Sequence, residues 1–282
     1  MFLRYLARSI SIVLIWLPSL GTAQADFHKE WATIAYDQAV LAHRMTKSAC
    51  LVMLGFEAPY YQNQIKVNSD RFLAQFSKLS AFPRDPSIPN DRWDEIQTTV
   101  KKMEQYFDPM VRSALQISAG DRHSMAVNLL LDRDAMATWE FTTLAYVTAR
   151  DIEETPIENA IFSVMEQRII SQQMLRDLCF VRAGFAGQNA RERLRENITE
   201  FSRAIDVLIH GDSHLGIPTA PNIHIKLKLR AVQPRWKRLS DLVHSTLESE
   251  ALTTQNMQLA SIFGDAVLLA LDQVLIEFSK LP

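Results

Sequence analysis

Apolar residues recur every three or four positions over long stretches of this 282-residue chain. Ile34, Gln38, Leu41, Met45, Ser48/Ala49 and Val52 share one face of a helix expected over about 27–54, which Gly55 stops. The same spacing predicts helices over about 59–80, 93–117 and 122–150, with a proline-rich loop at 83–91 and a turn at Ser118 to Asp121. After Glu153 to Pro156 the order repeats: helices over about 157–183, 190–210, 223–249 and 253–279, with a long loop at 211–222. Leu229, Val232, Trp236, Leu239 and Val243 form a regular stripe in the seventh of these. Pro109 and Pro234 fall inside predicted helices, where each removes a backbone hydrogen bond and predicts a kink or break. Only 8 glycines occur, which suits long helices better than a turn-rich sheet protein. The expected fold is all-α, two tandem four-helix bundle units, and periodicity leaves open whether they form separate bundles or one array.

The first residues, MFLRYLARSISIVLIWLPSLGTAQA, have the layout of a cleaved signal peptide. Arg4 and Arg8 precede an apolar run from Ile10 to Leu17, Pro18 ends it, and Ala23 and Ala25 supply a small-residue cleavage site. The run is too short to cross a bilayer, and no later stretch reads as a membrane span. The domains are therefore expected at 26–152 and 153–282, after a leader at 1–25, in a periplasmic or secreted protein. Losing Arg4 and Arg8 and no acid takes the net charge from -2 to -4, which disfavours nucleic acid as a partner.

The chain also resembles itself. Residues 45–56 (MTKSACLVMLGF) align without a gap on 174–185 (MLRDLCFVRAGF), and Met45/Met174, Cys50/Cys179, Val52/Val181, Gly55/Gly184 and Phe56/Phe185 are identical. The same offset of 129 pairs Gln38 with Gln167, Lys47 with Arg176, Ile65 with Leu194, Lys66 with Arg195, Phe72 with Phe201 and Leu79 with Leu208. Agreement over about forty residues points to duplication of one helical unit. Gln38 and Gln167 lie on buried stripes, where an amide needs a partner: a facing protein group or a polar ligand between helices.

The stretches IAYDQAVLAHRMTKSACLVMLG (34–55) and FSVMEQRIISQQMLRDLCFVRAG (162–184) resemble the first helix of the PilJ-type module. This is the N-terminal domain of type IV pili methyl-accepting chemotaxis transducers, and it is similar to the NarX-like nitrate sensor domain. The family pattern is close to A-G-R-Q-R-M-L-S-Q-R-M, then a basic residue and an apolar run ending in Gly. The resemblance implies a periplasmic helical sensor of a small molecule. In nitrate-sensing members a mid-motif arginine holds the anion between first helices packed about a two-fold axis. That position is Arg168 in the second copy and Ala39 in the first, whereas Arg44 matches a later arginine where the second copy has Gln173. The candidate ligand residues are thus Arg168, Gln167, Gln38 and Arg44, for a small polar or anionic ligand. Asp37 and Glu166 replace an early basic or small residue of the pattern, and an acid such as Glu166 beside Arg168 offers it a structural ion pair instead. Family transducers continue into a membrane helix and a signalling output, so a separate membrane-bound sensor or envelope partner is expected here. The alternative is a ligand-free interaction module of the cell envelope.

Cys50 and Cys179 admit two readings: a disulfide across the pseudo-two-fold, or packing as small hydrophobes, which their apolar surroundings favour. His210, His214 and His224 cluster around one loop without the cysteines or carboxylates that a metal site needs. No nucleophile elbow, phosphate loop or HExxH motif is present, so neither an enzyme nor a cofactor is expected.

Overall fold

Where the sequence has a capping signal, the helices begin on it. Thr155 accepts a hydrogen bond from the Glu158 backbone while the Glu158 carboxylate accepts one from Thr155, and Pro156 occupies the first helical turn. The computed structural model describes residues 20–56, 58–81, 84, 88–120, 130, 155–185, 187–249 and 253–281. Among them it is all-helical: α1 (Leu20–Met53), α2 (Ala58–Ala81), α3 (Asn90–Ser118), α4 (Pro156–Ala183), α5 (Gly187–His210), α6 (Ile223–Ser249) and α7 (Thr254–Phe278). The leader expected at 1–25 falls largely outside the described residues, as does the helix expected over 122–150, of which Leu130 is helical and fully buried.

The ends of α1 and α4 share one solution. Gly55 and Gly184 take positive φ (81° and 76°), and the next residue bonds back to the helix, Phe56 N to Leu51 O and Phe185 N to Phe180 O, each at 3.0 Å. This is the glycine C-cap that satisfies the last carbonyls. Pro109 and Pro234 do not break their helices: α3 and α6 run continuously through them.

Two helices form the centre. From Trp31 to Val52, and again from Ala160 to Phe180, most side chains are buried and Glu166 is the one exposed residue, so neither helix keeps a broad solvent face. They pack side by side. Tyr36 meets Phe162 and Asp37 meets Arg168 near one end, His43 and Lys47 cross to Arg176 and Gln172 in the middle, and Cys50 meets Cys179 at the other end, so α1 and α4 run parallel. Each centre helix carries antiparallel neighbours: α1 packs on α2, α2 on α3, α4 on α5 and α7, and α5 and α7 on α6. One contiguous apolar core joins both halves, so the described helices make a single array.

By length and composition α7 is apolar enough to cross a membrane, which corrects the expectation that no stretch after the leader would be. Here it packs on α4 and α6 and leaves Ile262, Leu269 and Ile276 exposed at seven-residue intervals. Gly264 sets its closeness to α4, because a Cβ there would lie 2.8 Å from Leu175 Cγ. That approach delivers Asp265 and Asp272 to the centre.

Cys50 and Cys179 form a disulfide, with Cα atoms 6.2 Å apart. The packed-thiol reading is thereby corrected. Apolar surroundings are the same for a thiol and for a bridge; what decides is the parallel register, which brings residues 129 apart face to face.

Candidate functional site

Burial of α1 and α4 on most sides has a cost. A polar side chain enclosed there must find a partner or lose about 1 to 3 kcal/mol. His43, Thr46, Lys47, Ser48, Gln167, Ser171, Gln172, Arg176 and Asp177 are all enclosed, and the seam between the two helices orders several of them, with neighbours, into two layers above the disulfide.

Arg168 is the hub of the first layer. Its Nη1 donates to Asp37 Oδ1 at 2.6 Å and its Nε to Asp272 Oδ1 at 2.8 Å, so one guanidinium ties α1, α4 and α7 together. Burial alone would penalise its charge, but the two carboxylates hold its pKa above the ordinary value. Its partners are these two aspartates rather than Glu166, which is exposed. The network continues outward, from Gln75 Nε2 to Asp37 Oδ2 and from Gln38 Nε2 to Gln75 Oε1 and Phe72 O. Gln38 therefore bonds to α2 instead of facing α4, and the protein itself supplies its partners. Gln167 is buried, and the carbonyl oxygens of both glutamines have no hydrogen-bond partner.

An anion entering at Arg168 would meet two carboxylates already in place. Arg168→Ala would strand Asp37 and Asp272, each partly open to solvent, and is expected to lower stability by about 2 kcal/mol, read as a reduced urea midpoint. An unchanged midpoint would mean that the two ion pairs contribute nothing net.

The second layer lies about 15 Å further along the seam, ten residues at 1.5 Å each. Lys47 Nζ donates to Asp265 Oδ1 at 2.9 Å and to Gln172 Oε1 at 3.3 Å. Its enclosure pushes its pKa down, Asp265 works against that, and the Arg44 charge adds to the depression. Across the seam Arg176 donates to Asp177 through Nε and Nη2, and its Nη1 lies 3.1 Å from His43 Nδ1. Arg193 of α5 closes on both Asp177 oxygens at 3.0 and 3.2 Å. The contacts Lys47–Gln172 and Arg176–His43 exchange residues 129 apart. Arg44, the remaining candidate, is half-buried beside Lys47, with a long 3.5 Å contact to Gln64 Oε1.

Sequence reasoning missed the second layer. The signal for it was present: a basic residue recurs at the same place in the two segments that align, three residues before a cysteine. Asn68 and Asn197, also 129 apart and both buried with an unpartnered Nδ2, escaped in the same way. At the far end, a shallow pocket of about 470 Å³ is lined by Pro156, His210, Asp212, Ser213, Ile217 and Thr219, among others. His210 pairs there with Asp206, and among the described residues no three His, Cys, Asp or Glu side chains are placed to share a metal ion.

Residues 164–262, from α4 into α7 and about a third of the chain, match the PilJ family, described as the type IV pili methyl-accepting chemotaxis transducer N-terminal domain. Comparison with curated proteins and with solved structures finds no match.

Proposed function

We propose that this chain is an exported, non-enzymatic sensing module, in which a small polar or anionic ligand such as nitrate is held in the seam between α1 and α4. The observation that carries this reading is the coincidence of the family match with a polar seam: the matched segment begins on the helix whose enclosed side chains line that seam. Two copies of one unit, 26–152 and 153–282, are proposed to form the seam as two subunits would. The offset of 129 between exchanged partners on α1 and α4 supports this. The Cys50–Cys179 bridge fits an oxidising compartment, and with it removal of a leader at Ala25. Ligand occupancy would then be passed to a separate membrane-bound partner.

A second reading has its own observation. Arg168, the residue at the family's anion-holding position, already has Asp37 and Asp272 bound, which favours a ligand-free envelope module in which the seam only holds the halves together. The two readings separate by calorimetry and thermal shift of the leader-free protein against sodium nitrate and nitrite at fixed ionic strength. The sensing reading expects a saturable rise in Tm. A flat response to every ion tried would leave the second reading.

A further inference from the structure

One stretch of surface has the opposite sign from the chain as a whole. Residues 223–240 of α6 hold Lys226, Lys228, Arg230, Arg235, Lys237 and Arg238 and no acid, in a chain whose net charge is -2. The placement runs against local preference. A helix N-terminus carries partial positive charge and favours acids, yet the first two turns of α6 hold two lysines and an arginine and no carboxylate. Little inside the molecule rewards them. Among the described residues Lys237 alone of the six has a salt-bridge partner, Asp241, and Glu277 of α7, within electrostatic reach of Lys228, is already hydrogen-bonded by Lys280.

Apolar side chains stand open among these cations. Ile223 and Leu227, four residues apart and so on one face, are 59% and 54% exposed, and exposed Arg230 continues that face. The opposite face of α6, with Ile225, Leu229, Val232 and Trp236, is in the core. The end of α7 lies alongside and adds exposed Ile276. An acidic protein surface would match the charge and leave Ile223 and Leu227 in water. An anionic bilayer matches both, because the apolar side chains sink to headgroup level while lysine and arginine stems reach back to the phosphates. The placement in the array agrees. Asn159, near the start of α4, donates to Gly216 O in the loop that leads into α6, so both helices begin at one end. Parallel to α4, α1 starts at that end too, shortly after the apolar run from Ile10 to Leu17 in the sequence.

We propose that the first turns of α6, with the end of α7, dock on a bilayer rich in anionic phospholipid, Ile223 and Leu227 entering at headgroup level and Lys226, Lys228 and Arg230 lying against the phosphates. This surface is separate from the seam between α1 and α4, and it stands whether or not a ligand binds there. Docking keeps the leader-free protein at the membrane surface, where a membrane-bound partner is met.

The test is co-sedimentation of the leader-free protein with vesicles of phosphatidylethanolamine and phosphatidylglycerol, against vesicles of phosphatidylcholine alone. The expected result is binding to the anionic vesicles that weakens as salt is raised, and none to the neutral ones. Lys226→Gln with Arg230→Gln should weaken that binding at least tenfold, since each cation near such a surface contributes about fivefold. Ile223→Ser with Leu227→Ser should weaken it at least fivefold while Tm stays at the wild-type value, because both side chains are exposed. Lys101→Gln with Lys102→Gln, the same charge change at two exposed positions of α3, should leave it unaltered. A loss in the lysine–arginine pair with none in the Ile223/Leu227 pair would overturn bilayer docking in favour of an acidic macromolecule. An equal loss in the α3 control, or no binding of wild type to anionic vesicles, would also overturn it.

Discussion

Replacing Cys50 and Cys179 together by alanine is expected to cost about 4 kcal/mol of stability, seen as a large drop in the urea midpoint. The bridge closes a loop of 129 residues, and cross-linking over such a separation removes close to the largest loop entropy a single disulfide can remove from the unfolded chain. Both sulfur-bearing residues are fully buried, so a reductant should act slowly on the folded protein and then bring wild type to the midpoint of the double variant. A double variant as stable as wild type would show that the parallel α1–α4 contact is self-sufficient and that the bridge is incidental to it. The same measurement bears on function. If the halves report ligand occupancy by shifting against each other, the disulfide restricts that shift at the glycine-capped end and leaves the Asp37–Arg168 end as the more mobile one.

The second large effect is expected at Asp177. It accepts from two arginines and is fully enclosed, so Asp177→Ala would take one shared carboxylate from the enclosed Arg176 and from Arg193 together. Breaking such a pair from one side costs about 3 to 5 kcal/mol. The double variant Asp177→Leu with Arg176→Met should recover most of that loss, because removing both charges also removes their desolvation penalty. Equilibrium unfolding of the four proteins of this cycle measures the coupling. A double variant no more stable than Asp177→Ala would mean that packing, and not charge, set the loss.

Much of the fold was legible along the chain. The apolar spacing located all seven described helices to within a few residues, apart from the start of α1, and Gly55 and Gly184 marked the ends of the two central ones. The candidate site was legible only in part. Gln38 and Gln167 stood out as polar groups on apolar faces and Arg168 through the resemblance of its segment to a sensor motif, but periodicity says that a side chain is buried without saying which neighbour it meets. Gln38 turned to α2, and Arg168 found two aspartates, one 131 residues before it and one 104 after it. Lys47 and Asp177 were passed over because each reads as one charge in a long helix. They become significant only when a second helix encloses them.

What the sequence by itself determined is therefore the local structure: helix positions, their caps, and the internal resemblance that makes residues 129 apart equivalent in kind. Those depend on interactions within a few turns of one helix, and the chain spells them out in order. What only the tertiary structure decided is the parallel docking of α1 on α4, and with it the disulfide, the saturation of Arg168 and the enclosure of Lys47 between Asp265 and Gln172. Each of these joins groups far apart in the chain, and the energy of a buried charge or thiol depends on what encloses it, which no single helix contains.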